Sequence, residues 1–287
     1  MSTSFFMKPH THPTPSPRRL TSVLALAAGF MLSLPAFGGT AGTWYSIRTN
    51  GVPQSPTNLS RGQSGDLWIT SESNNEKGAW RWPAAGNLLH IAGQSADNNL
   101  GEDVNMLVKP ELAGKDVTYV VDDSDGNTWY ATYAHGVLVQ KADNSWVTFN
   151  TTETGVRNLA DNHIWRIRFA AGGNTILVGP LGAYVVDSAF AITQQRTGVI
   201  YNNDHIQDAM KDSAGNWWVL TNRGPHRGSS LLNAAHVSTL YSGVSNVPQN
   251  DTPANRIEQD ASGNLWFIVN GYGLCRYISV DGCRYPD

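Results

Sequence analysis

Five short segments of this chain align on one glycine, and their regular return constrains the fold more than any other feature. They are GQSGDLW (Gly62–Trp68), DSDGNTW (Asp123–Trp129), AAGGNTI (Ala170–Ile176), DSAGNWW (Asp212–Trp218) and DASGNLW (Asp260–Trp266). The pattern is D-x-x-G-N-x-W. Its aligned glycines, Gly65, Gly126, Gly173, Gly215 and Gly263, lie 61, 47, 42 and 48 residues apart. A return at such a period marks a repeat architecture, in which each unit buries its apolar face only against a neighbour.

Each position of the motif has a mechanical use. The glycine supplies the positive φ of a tight hairpin turn. An Asp three residues earlier (Asp123, Asp212, Asp260) can accept hydrogen bonds from the N–H groups of that turn. The Trp (Trp68, Trp129, Trp218, Trp266) falls on the returning strand, where its area can fill the space between sheets. Six residues before each glycine stands Leu59, Val120, Ile167, Ala209 or Ile257, so an apolar strand enters the turn.

Further strands follow each turn. Gly136–Val139, Gly182–Val186 and Gly273–Tyr277 have the pattern of third strands, and Ser145–Phe149 and Ser238–Tyr241 that of fourth strands. No helical periodicity appears beyond the first forty residues. Four strands per unit at a period in the forties predicts an all-β chain, a five-bladed β-propeller of four-stranded antiparallel blades. The longer first interval predicts an insertion within Gly93–Lys115. Little chain follows the last third strand, and Thr43–Arg48 resembles a fourth strand. The N-terminal strand is therefore expected to complete the last blade and remove an open sheet edge.

Residues 1–38 read differently from the rest. They carry Lys8, Arg18 and Arg19 and no acidic residue, then the apolar run Leu20–Leu34, then Pro35 and small residues. This is the pattern of a signal peptide. Fifteen apolar residues fall short of the roughly 20 that span a bilayer. The division is thus 1–38 leader and 39–287 propeller, with no membrane span after cleavage and a periplasmic or secreted location. Loss of three basic residues takes the formal charge from -3 to -6. Without a basic stripe there is no reason to expect nucleic acid. The only cysteines, Cys275 and Cys283, would sit in an oxidising compartment, and their spacing permits a disulfide over a short loop.

The D-x-x-G-N-x-W turns are similar to the two-component-regulator propeller repeat, found in periplasmic sensor regions of bacterial hybrid histidine kinases. The resemblance covers nearly all of residues 39–287 as short repeats. It implies a propeller and a sensing role, here free-standing and without a kinase. The first unit departs from the pattern in lacking the Asp and carrying Asp66 for Asn; the third lacks both Asp and Trp. The streptogramin lyases, propellers with G-N-x-W turns, are a more distant resemblance.

Asp123, Asp212 and Asp260 occupy equivalent turns on different blades, so they read as structure and not as a catalytic set. Propeller function usually lies at the opposite face, where loops joining fourth to first strands meet loops joining second to third strands. The first class holds His163 and His205, each ten residues before its aligned glycine. The second holds Tyr133, His135, Arg223, His226 and Tyr272, with Arg227 nearby. Imidazole, guanidinium and phenol groups there suit a small ligand, such as a carbohydrate, or a protein partner. The expected function is non-catalytic binding by an exported propeller. The alternatives are a periplasmic lyase or hydrolase using a His and a carboxylate, and an envelope scaffold. No motif calls for a metal or an organic cofactor: H-E-x-x-H, P-loop, G-x-S-x-G and C-x-x-C patterns are all absent.

Overall fold

The computed structural model describes residues 56–71, 78–85, 87–93, 105–170, 172–197, 205–237, 253–278 and 282–284. The chain divides after Thr43, and all of these residues belong to the second unit, Trp44–Asp287. The leader 1–38, Thr43–Arg48 and Ser238–Tyr241 lie outside the described residues. Strands dominate the rest. Among the described residues the only helical turns are short 3-10 segments at Pro110–Leu112 and Gly155–Arg157, and no helix is long and apolar enough to cross a membrane.

Among the described residues the strands form five sheets, one for each predicted unit. The first contains β1 (Pro56–Arg61), β2 (Leu67–Ser71), β3 (Ala79–Trp82), β4 (Leu89–Ala92) and β5 (Asn105–Val108). The second contains β6 (Val117–Asp122), β7 (Thr128–Thr132), β8 (Val137–Gln140) and β9 (Trp146–Phe149). The third contains β10 (Arg166–Ala170), β11 (Asn174–Gly179), β12 (Gly182–Val186) and β13 (Ile192–Thr197). The fourth contains β14 (Ile206–Lys211), β15 (Trp217–Thr221), β16 (Gly224–Gly228) and β17 (Ala235–His236). The fifth contains β18 (Ala254–Gln259), β19 (Leu265–Val269), β20 (Gly273–Ile278) and β21 (Gly282–Arg284). In each sheet the first four strands are an antiparallel meander in chain order.

Two places differ from the sequence expectation. The fourth seat of the last sheet, expected for Thr43–Arg48, is taken by β21, so three residues of C-terminal chain are enough for an outer strand. The insertion within Gly93–Lys115 adds β5, which pairs parallel to β4 as a fifth strand.

Alternation along each strand sends successive side chains to opposite faces of a sheet, so successive sheets pack face to face. Trp68, Ala79 and Ile91 of the first sheet pack on Val120, Tyr130 and Leu138 of the second. Val121, Trp129 and Val139 face Ile167, Leu177 and Tyr184 of the third. Ile176, Val178 and Val185 face Ala209, Trp217 and Val219 of the fourth. Trp218 and Leu220 face Ile257, Phe267 and Val269 of the fifth. Val120, Ile167, Ala209 and Ile257, six residues before their glycines, thus face the preceding sheet, and Trp68, Trp129 and Trp218 face the following one.

The first strands also share a local device. In four sheets the register of the first pair slips by one residue near its start, at Pro56/Asn58, Val117/Tyr119, Ile206/Asp208 and Ala254/Arg256. Such a bulge bends the strand and turns a carbonyl out of the ladder. The Thr118 carbonyl freed in this way accepts from Asn58 Nδ2 at 2.9 Å and Thr70 Oγ1 at 3.0 Å, tying the first sheet to the second.

Candidate functional site

The motif turns are closed by their own side chains. The aligned glycines all have φ between +77° and +94°, which a β-carbon would strain. Asp123 accepts from the N–H groups of Asp125 and Asn127 and from the indole of Trp129 at 2.8 Å. Asp212 and Asp260 hold Trp218 and Trp266 in the same way, each at 2.9 Å. Burial works against the Asp212 carboxylate, yet bonds from Trp218 and Asn216 keep it below its ordinary pKa. Bonds from Trp266 and Asn264 hold Asp260 at about 2. The motif Asn or Asp reaches on towards the later strands: Asn127 accepts from Ala142 N–H, Asn264 from Arg276, and Asp66 from Ala84 N–H and Arg81. Arg81, Arg227 and Arg276 lie over the rings of Trp68, Trp218 and Trp266 at 5.6, 5.3 and 5.9 Å, a cation–π cover for each indole. Arg227, expected at the ligand rim, therefore belongs to the turn motif.

At the opposite ends of the strands the predicted loop residues separate into two groups. Tyr133, in the turn after β7, lies against the imidazole of His163 from the next sheet, with centroids 4.4 Å apart. His163 in turn meets the edge of Trp165 at 5.2 Å. Tyr133 is 58% exposed, so the three rings form a shelf open to solvent on one side. Burial lowers the pKa of His163, with Asp161 opposing it.

The other predicted residues are placed elsewhere. His135 is exposed in the turn after β7, where its N–H donates to Thr132 Oγ1. Arg223 occupies the matching turn after β15 and donates its N–H to Thr221 Oγ1. His205 is exposed ahead of β14 and donates its N–H to the Asn222 side chain. Tyr272 is half-exposed in the turn after β19. His226 does not lie in a loop: it is 3% exposed within β16, opposite Val219. The turn after β15 is so short that β16 starts at Gly224, and His226 has already entered the sheet.

A third group was not among the predicted site residues. Asp208 on β14 is fully buried, and its carboxylate collects five hydrogen bonds. Arg166 Nη1 donates to it at 2.7 Å, and Arg168 grips it from Nε at 2.9 Å and Nη2 at 2.6 Å. The backbone N–H groups of Ala209 and Ile257 complete the set. Arg168 extends past β14 to β18, where it takes both oxygens of Glu258 at 3.0 and 3.1 Å and the Ile257 carbonyl at 2.7 Å. Arg256 Nε donates to Glu258 at 3.1 Å. Burial alone would raise the pKa of Asp208, but Arg166 and Arg168 hold it at about 2. Burial likewise opposes ionisation of Glu258, and Arg168 outweighs it. Arg-x-Arg on β10, Asp on β14 and Arg-x-Glu on β18 thus join three first strands in one ionic network.

The sequence signal for this network is charge where a sheet needs apolar residues. Five residues before the aligned glycine stand Ser60, Val121, Arg168, Met210 and Glu258; seven before stand Asn58, Tyr119, Arg166, Asp208 and Arg256. All of these point to the same face as the motif Trp, so a charge there must find a partner on the neighbouring strand. Among the described residues, no group of three or more His, Cys, Asp or Glu side chains converges as a metal site would require.

No protein-family model matches the sequence, and no curated protein matches it. Solved structures do resemble it. Virginiamycin B lyase from Staphylococcus aureus superposes with a TM-score of 0.54 at 13% identity, over 80% of this chain and 69% of that one. The extracellular domain of a hybrid two-component system from B. thetaiotaomicron gives 0.54 at 13% identity, over 85% of this chain and 28% of that one. YCF48 bound to D1 peptide gives 0.52 at 12% identity, over 83% and 70%. At such identities the likeness is one of fold: these neighbours are propeller proteins, and this chain is an all-β protein of their type, built of four-stranded antiparallel sheets.

Proposed function

We propose that this chain is an exported, non-catalytic binding protein on a closed five-bladed propeller, with its ligand seated at the loop face. The observation that carries the reading is the Tyr133–His163–Trp165 shelf. Two adjacent sheets each supply a ring to it, and one ring stays more than half exposed. A tyrosine placed there adds little to the core, whereas open aromatic faces next to polar loops suit a small ligand such as a sugar ring. Extracellular domains among the structural neighbours support export, and the charge pattern of residues 1–38 supports a cleaved leader and a periplasmic or secreted location. A sensing role follows only by analogy with those domains.

Ring closure is supported by the two end sheets. Ile268 and Leu274 of the last sheet are 46% and 36% exposed on the side that would meet a following blade, and Trp266 is half-buried there. Leu59, Leu67 and Ile69 of the first sheet are half-buried on the side that would meet a preceding one. A Cys275–Cys283 disulfide belongs to the same reading. It is supported by the burial of Cys275 and by a β20–β21 register that sets Cys283 opposite Tyr277, one diagonal step from Cys275. Intact-mass analysis after alkylation, with and without reductant, checks it: two thiols labelled without reductant would refute the bridge.

The binding reading is tested by thermal-shift screening of the exported protein against neutral sugars and short peptides, followed by titration of the Tyr133→Ala variant. A ligand that raises the melting temperature and binds the variant about tenfold more weakly, the loss of one good stacking contact, supports it. A partner protein that co-purifies while no small ligand shifts the protein would overturn it in favour of a scaffold.

A further inference from the structure

The insertion that adds β5 to the first sheet also shapes a cavity there. It holds about 480 Å³ and is lined by Arg81 of β3, Pro83 and Asn87 of the connection to β4, Leu89 of β4 and Met106 of β5. That volume falls within the roughly 300–1,000 Å³ of small-molecule sites. Among the described residues only the first sheet has a fifth strand, so the wall that Met106 forms has no counterpart in the other four. The wall is held firmly. β5 pairs with β4 along its whole length, the Lys109 N–H donates to the Ala92 carbonyl at 2.7 Å, and Leu112 is buried in one cluster with Trp68, Ile91 and Val117. The lining is amphipathic. Pro83, Leu89 and Met106 supply apolar surface, and methionine adapts its shape to what it meets. The Arg81 side chain is 42% exposed; Asp66 takes its Nε and Nη2, so Nη1 is the donor left for a ligand. Asn87 is exposed and adds a carboxamide.

We propose that this cavity binds a small carboxylate with an apolar, ring-sized body. Arg81 Nη1 and the Asn87 amide donate to the carboxylate, and Pro83, Leu89 and Met106 cover the apolar part. Lys109, three residues past Met106, adds to the field: burial and the nearby Arg81 disfavour its charge while Glu111 opposes them, and an anion at Arg81 lessens that repulsion. The site shares no residue with the Tyr133–His163 shelf and stands even if the shelf binds nothing.

The test is calorimetric titration of the purified protein with phenylacetate and with hexanoate, and with the neutral amide of each. Saturable binding of a carboxylate is expected, about tenfold or more tighter than that of its amide, which lacks the charge-assisted bond. Asn87→Trp fills the cavity from an exposed position and should abolish binding. Arg81→Gln should weaken it about tenfold or more. Arg81→Lys keeps a charge beside Asp66, serves if the Gln variant does not fold, and weakens binding by a smaller factor. Tyr133→Ala should leave the affinity unchanged, which separates this site from the shelf. Absence of saturable binding by both carboxylates, equal affinity for acid and amide, or an affinity that survives Asn87→Trp overturns the proposal.

Discussion

The indole N–H of Trp68 donates at 2.6 Å to the carboxylate of Asp122, a residue of the neighbouring sheet. In the second, fourth and fifth sheets the motif Trp is held by an Asp of its own turn, three residues before the glycine. The first unit has Gly62 at that position. Asp122 supplies the missing acceptor from the next sheet and takes the same pair of donors, the indole and the turn N–H of Ser64 at 2.8 Å. A β-carbon on Gly62 would lie 1.7 Å from Asp122 Oδ1. The glycine is therefore what lets the carboxylate enter, and a gap in the repeat becomes a tie between sheets.

Asp122→Ala leaves a buried indole donor without its acceptor, and the expected cost is about 1–3 kcal/mol in urea denaturation. Gly62→Asp should also destabilise the wild type, because its side chain collides with Asp122. The double variant restores the local arrangement of the other sheets and should be more stable than the sum of the single effects implies. A double-mutant cycle reads this directly. Additive losses would show that Asp122 does not stand in for the missing Asp.

Asp208→Ala removes the shared partner of two guanidiniums. Breaking a buried ion pair from one side typically costs 3–5 kcal/mol, since the remaining charge stays desolvated. The loss should fall on the last three sheets, which the network joins. Hydrogen exchange in β10, β14 and β18 should speed up more than in β6, and uniform exchange across these strands would argue against a local role.

The motif turns, the five units and their four-strand meander are legible in the sequence because Gly, Asp and Trp recur in register with a stated geometric duty. Trp129 and Trp218 fall between sheets as their spacing predicts. The seat of the last outer strand was not legible: β21 is only Gly282–Arg284, and three residues carry no period. The candidate site was legible in its residue classes alone. Tyr133 and His163 come from loop classes that the repeat brings to one face, but His226 enters a sheet because only two residues separate β15 from β16, against four between β7 and β8. Arg166, Arg168, Asp208, Arg256 and Glu258 escape notice as isolated charges. They become readable only when the five units are stacked and the same strand position is compared across them.

The network also sets an acid limit. The folded pKa of Asp208, about 2, lies below its ordinary 3.8, so its contribution to stability is complete above the unfolded value and is lost as pH falls towards the folded one. Glu258 shifts in the same direction. Stability measured by denaturant should therefore drop between about pH 4 and pH 2, by about 2 kcal/mol from Asp208 alone. The drop should shrink in Asp208→Asn, whose baseline stability is lower at neutral pH. An unchanged acid slope in that variant would remove Asp208 from the explanation.

His163 provides the test of the aromatic shelf in the unliganded protein. Its imidazole packs on Tyr133 and Trp165, and burial holds its pKa below the ordinary 6.5. The sign follows: the neutral ring is the favoured folded form, so the histidine favours folding above its unfolded pKa and that benefit fades as pH falls. Side-chain NMR should show His163 titrating below the ordinary histidine value. Tyr133→Ala uncovers one face of the ring and should move the His163 midpoint back towards 6.5. A His163 midpoint that ignores the loss of Tyr133 would mean that the rings do not stack in solution.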